Sequence, residues 1–314
     1  MTTHWQSRSV FLALLVLPCT LLAGNTSDPP GLPTFHSSVS EIRVTFFATG
    51  ESHRPAPTIA KSDFAVVDNE RVVRNFRSFT RSDENALNVV VLVDLSESVA
   101  PRFRASINDV LQLVVREQSI PDDDIAVLSF GGMRGTEPAI LCSDGCRAPD
   151  SIARLRAIKS SGTTPLFDAL VFASAFVSQH ARATTRLVLI LFSDGNDTSS
   201  LHTADDAFRS VLNSGAMVYS VDIGLPSDAS SGSRSLHLIS DATGGRYFVL
   251  GSSPQDCVAT VLTAVLEDLR ASYVVTYDPP SRQTGFHSLR LLPTQNLSLT
   301  FHSRNGYYYE PSVR

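Results

Sequence analysis

The sequence predicts an α/β protein: a doubly wound, mostly parallel sheet flanked by helices, with a small β-module formed by the N- and C-terminal flanks. Three observations carry this. Two apolar runs, Val89-Val90-Val91-Leu92-Val93 and Leu187-Val188-Leu189-Ile190-Leu191-Phe192, are continuous and rich in β-branched residues, as strands buried on both faces of a parallel sheet are. From Asn88 onward, strand and helix candidates alternate in the manner of βαβ units. Outside that stretch, both ends of the chain carry short strand candidates with no helix between them. The 314 residues suffice for one large or two small domains with a real core. The formal net charge of −5 comes with few lysines and no Lys/Arg cluster, which argues against nucleic acid as a partner.

In chain order, residues 1–24 read as a secretory signal. Arg8 precedes the apolar stretch Val10–Leu17, and Leu21-Leu22-Ala23-Gly24 offers small residues for cleavage near Ala23 or Gly24. Pro18 breaks that stretch, which is short for a membrane span; an uncleaved signal anchor is the competing reading. Cys19 follows Pro18 rather than the small residue a lipoprotein site needs. Residues 30–85 form the N-terminal β flank. Within it Ser40–Ala48 alternates in polarity, and Asp63–Phe79 reads as a hairpin turning near Asp68-Asn69-Glu70. Residues 86–271 form the α/β domain. Its strands are expected at 88–94, 125–130, 187–193, 217–223 and 246–250, and Ala139-Ile140-Leu141 adds an edge strand. Its helices are expected near 101–117, 166–180, 203–214 and 255–271. Ser227–Ser235 is Ser/Gly-rich and is expected to be a mobile loop. Residues 272–314 form the C-terminal β flank, with strands at 272–277, 286–292 and 297–302. Chain termini commonly lie close together, so one module can draw on both flanks.

The chemistry concentrates where the two apolar runs end. After the first comes Asp94-Leu95-Ser96-Glu97-Ser98, and alternation would place Asp94, Ser96 and Ser98 on one side. Ligands of open α/β sheets bind beyond the carboxyl ends of such strands. One carboxylate and two hydroxyls are hard oxygen donors, suited to Mg2+ or Ca2+ and poorly suited to zinc. The second run ends at Ser193-Asp194-Gly195. Between them, Ser161-Gly162-Thr163-Thr164-Pro165-Leu166 is a Gly-containing loop ahead of a helical run. Together and in this order the three segments resemble the metal-ion-dependent adhesion site of von Willebrand factor type A domains. The matching positions are Asp94, Ser96, Ser98, Thr164 and Asp194; Thr164 is preferred to Thr163 because the family loop reads Gly-x-Thr-x-Leu. The resemblance implies a bound Mg2+, or Mn2+ or Ca2+, with Asp94 and Asp194 acting largely through water. It also implies an open coordination position for a carboxylate from an Asp or Glu of a protein partner. Two positions depart from the family. Glu97 stands where Gly is common, and Val99 where Met is common. Alternation would turn Glu97 away from the cation; folded inward, it would fill the open position and block a partner.

The flanks carry a second resemblance. Ser62–Asn69 with Phe76-Arg77-Ser78-Phe79, and Tyr273–Pro279 with Arg304–Tyr308, look like segments that flank the A domain in a family of secreted bacterial proteins. With the signal, this implies a secreted, periplasmic or envelope location.

Each residue also has a plainer reading. Asp94 and Ser96 could cap the helix that starts near Pro101, and Thr163-Thr164-Pro165 could be a cap followed by Pro at the first helical position, a role Thr164 can combine with metal binding. Asp194-Gly195-Asn196-Asp197 could be a turn. Asp122-Asp123-Asp124 reads as a solvated loop rather than a second metal site, and Tyr307–Tyr309 as strand packing. Cys142-Ser143-Asp144-Gly145-Cys146 has a turn-forming Asp-Gly between its thiols and is expected to close a disulfide in an oxidising compartment, while Cys257 reads as a buried small hydrophobe. Asn25, Asn196 and Asn296 begin glycosylation sequons. The expected function is therefore a binding module and not an enzyme. The competing readings are a phosphatase-like Mg2+-dependent hydrolase and an envelope structural component whose cation only rigidifies the fold. Against the hydrolase, Ser96 stands where phosphohydrolases place a second Asp, and neither a Gly-x-Ser-x-Gly elbow nor a P-loop occurs.

Overall fold

The computed structural model describes residues 41–310 except 53, 57, 83–84, 117–119, 121–123, 133–137, 181–184, 225–230 and 251–257. The signal segment, Cys257, Asp122 and Asp123 lie outside the described residues.

The elements run β1 (Ile42–Thr49), β2 (Phe64–Asp68), β3 (Arg71–Val72), β4 (Ser78–Arg81), β5 (Leu87–Asp94), α1 (Ala100–Arg116), β6 (Ile125–Phe130), β7 (Ala139–Cys142), α2 (Pro149–Ala157), α3 (Leu166–Gln179), β8 (Arg186–Ser193), α4 (Ala204–Ser214), β9 (Met217–Asp222), α5 (Ser231–Thr243), β10 (Tyr247–Val249), α6 (Val258–Arg270), β11 (Tyr273–Tyr277), β12 (Gly285–Pro293), β13 (Thr300–Ser303) and β14 (Gly306–Tyr309).

Six strands form the central sheet in the order β10-β9-β8-β5-β6-β7. Its pairs are parallel except for the edge pair β6–β7. The apolar runs are continuous because both faces are covered. On one face Val89, Val91 and Val93 of β5 join Val188, Ile190 and Phe192 of β8 against Phe103 and Ile107 of α1 and Val265 of α6. On the other, Val90, Leu92, Leu189 and Leu191 meet Leu170 of α3, Val211 of α4 and Leu236 of α5. The strand order reverses between β5 and β8. The chain leaves β5 towards β6 and leaves β8 towards β9, so the two following loops diverge and open a crevice at the carboxyl ends.

The flanks form two antiparallel four-stranded sheets, β13-β1-β11-β4 and β14-β12-β2-β3. They share a core that includes Val44, Phe46, Phe64, Val66, Tyr273, Val275, Leu289 and Tyr307. Aromatic rings dominate it; the Phe46 and Phe64 centroids are 4.9 Å apart. Successive side chains of a strand face opposite sides. Phe46 therefore fills the β-module, while Phe47, its neighbour on β1, belongs to the core of the α/β domain.

Several expectations need correction. The hairpin is only β2–β3; β4 crosses to the other sheet and pairs with β11. Its two-residue turn is Asn69-Glu70, both at positive φ (49° and 64°), the conformation a type I′ turn requires. Ser231–Ser235 is not loop but the first turn of α5, because Leu236, Ile239 and Ala242 recur at three-residue spacing and are buried. That burial outweighs the weak helix propensity of Ser and Gly. Helices α2 and α5 are both absent from the sequence expectation; α2 buries only Ser151 and Leu155 and so shows little apolar period. The last flank strand begins at Thr300 rather than 297, and β14 is a separate strand. Cys142 and Cys146 are joined by a disulfide, with Cα atoms 5.3 Å apart.

Candidate metal centre

Asp94 is the last residue of β5 and is fully buried. Its Oδ1 accepts the Ser96 N–H (2.8 Å), and its Oδ2 accepts the Ser193 hydroxyl (2.7 Å). The chain stays extended through Ser96 and then enters a 3-10 turn at Glu97–Val99. Ser98 therefore reaches Ser96 by that turn and not by strand alternation; the two Oγ atoms are 3.0 Å apart. Ser96 occupies the N-cap position of the turn, yet its side chain makes no capping bond. The capping reading of Ser96 thus fails, and its hydroxyl is left facing Ser98. The same turn points Glu97 outward: it is exposed, and Val99 is buried in the core.

Thr164 arrives on the loop between α2 and α3. That loop is fastened to the β5 loop by the Ser161 N–H on Leu95 O (2.6 Å) and the Glu97 N–H on Gly162 O (3.2 Å). Gly131 and Gly162 allow the close approach. A Cβ on Gly131 would sit 2.7 Å from Thr163 O, and one on Gly162 would sit 2.5 Å from Gly132 O; both glycines have positive φ. Thr164 is buried, whereas Thr163 is exposed and takes the Ser199 hydroxyl (3.0 Å). Thr164 does not cap α3. The N-cap position is Pro165, and the amides of Phe167 and Asp168 in the first turn donate to Ser200 Oγ at 3.0 and 3.1 Å. Asp197 Oδ1 takes the Phe167 amide as well (3.2 Å).

Asp194 follows β8 directly and is buried; its Oδ1 accepts the Asn196 N–H (3.1 Å). Reciprocal bonds tie this loop to Thr164: Thr164 N–H to Thr198 Oγ1 and Thr198 N–H to Thr164 O, both 2.9 Å. All five positions thus lie on three loops at one end of the sheet, at the strand-order reversal. Sequence reasoning did not assign roles to Ser193, Thr198, Asp197 and Ser200, which hold the constellation in place. The only sequence signal for them is their density of Ser, Thr and Asp beside Asp194.

The electrostatics favour a cation. Burial, the dominant cause, raises the Asp94 carboxyl to about 6. The Ser96 and Ser193 hydrogen bonds oppose the shift, and the charge of nearby Asp194 adds to it. Two close carboxylates in a desolvated crevice are relieved by a divalent positive charge. Among the described residues no three His, Cys, Asp or Glu side chains group together, so this donor set is one of hydroxyls with two carboxylates. That is the oxygen chemistry of a hard cation, and the residues fit one.

A doubly wound sheet with such a cradle of oxygen donors at its switch point defines a class of α/β domain. The sequence agrees: residues 88–261, over half of the chain, match the model of the von Willebrand factor type A domain, and the chain belongs to that family. Among solved structures it is similar to an aerotolerance-related membrane protein from Bacteroides fragilis NCTC 9343 carrying multiple mutations to serines (15% identity, 59% of this chain and 98% of that one, TM-score 0.45). It is similar to a von Willebrand factor type A protein from Catenulispora acidiphila (13% identity, 80% and 74% covered, TM-score 0.43). It is also similar to the manganese-loaded TRAP protein of Plasmodium vivax (16% identity, 77% and 98% covered, TM-score 0.40). The similarity is remote in all three. No curated protein sequence matches the chain.

Proposed function

We propose that this protein is an exported binding module that holds Mg2+, or Mn2+ or Ca2+, at Asp94, Ser96, Ser98, Thr164 and Asp194. A protein partner then supplies an Asp or Glu carboxylate to the cation. The observation that carries the reading is the convergence of the Ser96 and Ser98 hydroxyls, hydrogen-bonded to each other at 3.0 Å, on the buried Asp94. Neutral hydroxyl donors leave the cation's charge largely uncancelled, and a carboxylate from outside completes it where water is excluded. The residues' own work is to orient: Ser193 and the Ser96 amide fix Asp94, and Thr198 fixes the Thr164 loop. The reading assigns no catalytic step. Residues 1–24 support export, and among the described residues no helix is long and apolar enough to cross a membrane.

Calorimetry with Mg2+ on wild type and Asp94→Ala tests the site. Heat of binding in wild type and none in the variant, with both proteins folded, is expected; equal heats defeat the site. Capture of partners from the native envelope with and without EDTA tests the adhesion step. Linkage requires that a partner tighten the metal as much as the metal tightens the partner. A metal-binding protein whose partner ignores EDTA leaves only a structural role for the cation.

A further inference from the structure

We propose a second ligand site at the opposite end of the sheet: a pocket for a phosphate group, between the amino ends of the parallel strands and the β-module. A cavity of about 270 Å3 opens there. Its walls include Arg186 and Thr185 at the start of β8, Arg43 and Thr45 from β1, and Arg304 from the turn between β13 and β14. Three guanidinium groups from three distant parts of the sequence thus line one concavity.

The positions of two of these groups are fixed. Arg186 is buried and donates to Asn85 O (3.1 Å) and Ser272 Oγ (3.3 Å). Arg304 donates to Arg43 O (2.8 Å) and lies over the Tyr307 ring, 5.4 Å from its centroid. Glu41 on the rim and Asp68 behind Arg304 offset part of the positive charge. The hydroxyls of Tyr277 (2.9 Å) and Tyr307 (2.7 Å) both donate to Asp68 Oδ2, while its buried Oδ1 has no hydrogen-bond partner and lies 3.5 Å from His287 Nδ1.

A purely structural role accounts for Arg186, which satisfies carbonyls where elements end. It does not account for two other groups. Thr185 Oγ1 and Arg304 Nε are both buried, and neither has a hydrogen-bond partner. Both residues line this cavity. Buried donors without partners are rare, and two on residues that line one cavity, beside an excess of guanidinium charge, point to an anion with several acceptor oxygens. Guanidinium forks and hydroxyls are the groups that bind phosphate, and the cavity has room for one with a small organic substituent.

The test is thermal unfolding of the full chain in sodium phosphate and in sodium chloride at matched ionic strength, with EDTA to keep divalent cations out of the first site. A saturable rise in Tm with phosphate and none with chloride is expected. Thr185→Val, which keeps the shape and removes the hydroxyl, should bind phosphate about tenfold more weakly, the loss expected for one hydrogen bond to a charged ligand. Arg43→Gln is a second variant, in case the first melts without cooperativity. Glycerol 3-phosphate distinguishes the sources: tighter binding than inorganic phosphate assigns a phosphomonoester, and equal or weaker binding assigns the free ion. Identical melting in phosphate and chloride overturns the proposal, as does a wild-type phosphate response in both variants. Either result leaves water as the occupant of the cavity.

Discussion

At the residue scale, the cradle is a set of short polar groups whose hydrogen bonds are spent on holding shape. Asp94 is the costliest. Its carboxyl titrates near 6 in the folded protein against about 3.8 unfolded, chiefly because it is buried. A folded-state value above the unfolded one means that the folded protein holds the proton more tightly. Stability from this group is therefore fully present below about pH 4 and is lost as pH rises through 6, a change of roughly 3 kcal/mol. A divalent cation favours the ionised form and reverses that loss. Mg2+ should then raise Tm clearly at pH 7.5 and much less at pH 5, where proton and metal compete. Thermal unfolding at the two pH values with and without Mg2+ measures this, and equal shifts at both would refute it. The types and positions of the cradle residues were legible in the sequence. The path of the chain through Ser98 was not, because a 3-10 turn and an extended strand use the same small residues.

At the element scale, the cradle loops are held by close backbone contacts that composition does not reveal. Helix α5 begins where Gly232 faces the Asp194 loop. A Cβ on Gly232 would lie 2.5 Å from Asp194 O and 2.6 Å from Gly195 C. Two effects of Gly232→Ala oppose each other. Helix propensity favours Ala by about 1 kcal/mol. Overpacking against rigid backbone costs about 1–3 kcal/mol. The clash is with carbonyl atoms that cannot swing aside, so packing wins. Gly232→Ala should lower stability in urea and weaken Mg2+ binding together, because the displaced loop carries Asp194. A variant more stable than wild type with unchanged metal affinity would show that the loop yields freely. Only the start of this helix, Ser231–Ser235, reads from the sequence as mobile loop, and Leu236–Thr243 is given no element, because its opening Ser-Gly-Ser serves the contact and its apolar face starts only at Leu236.

At the scale of the whole molecule, the β-module and the α/β domain share residues. Strand β1 lies between β11 and β13 in one sheet, yet its Phe47 is buried in the core beneath the central sheet and stacks on His302 at 4.5 Å between ring centroids. Phe47→Ala should therefore destabilise the α/β domain, 40 residues downstream, as a core truncation does, by about 3–5 kcal/mol. Urea unfolding should still show one cooperative transition. A loss below about 1 kcal/mol, or an early separate transition for the flanks, would mean that the two parts fold independently.

The sequence by itself determined the layers. Continuous β-branched runs can only be buried on both faces, and helix-free flanks can only make sheet, so Val89–Val93, Leu187–Phe192 and the terminal strands announce their roles. It also determined the donors, since Asp94, Ser96 and Ser98 fall where a strand must end. The tertiary structure alone decided what those donors face and what supports them. Ser193 on Asp94, Thr198 on Thr164, Gly232 against Asp194, and Arg43 and Arg186 beside Arg304 are contacts between segments far apart in the chain. Local periodicity carries no record of such partners, because it reports only which way a side chain faces and not what it will meet there.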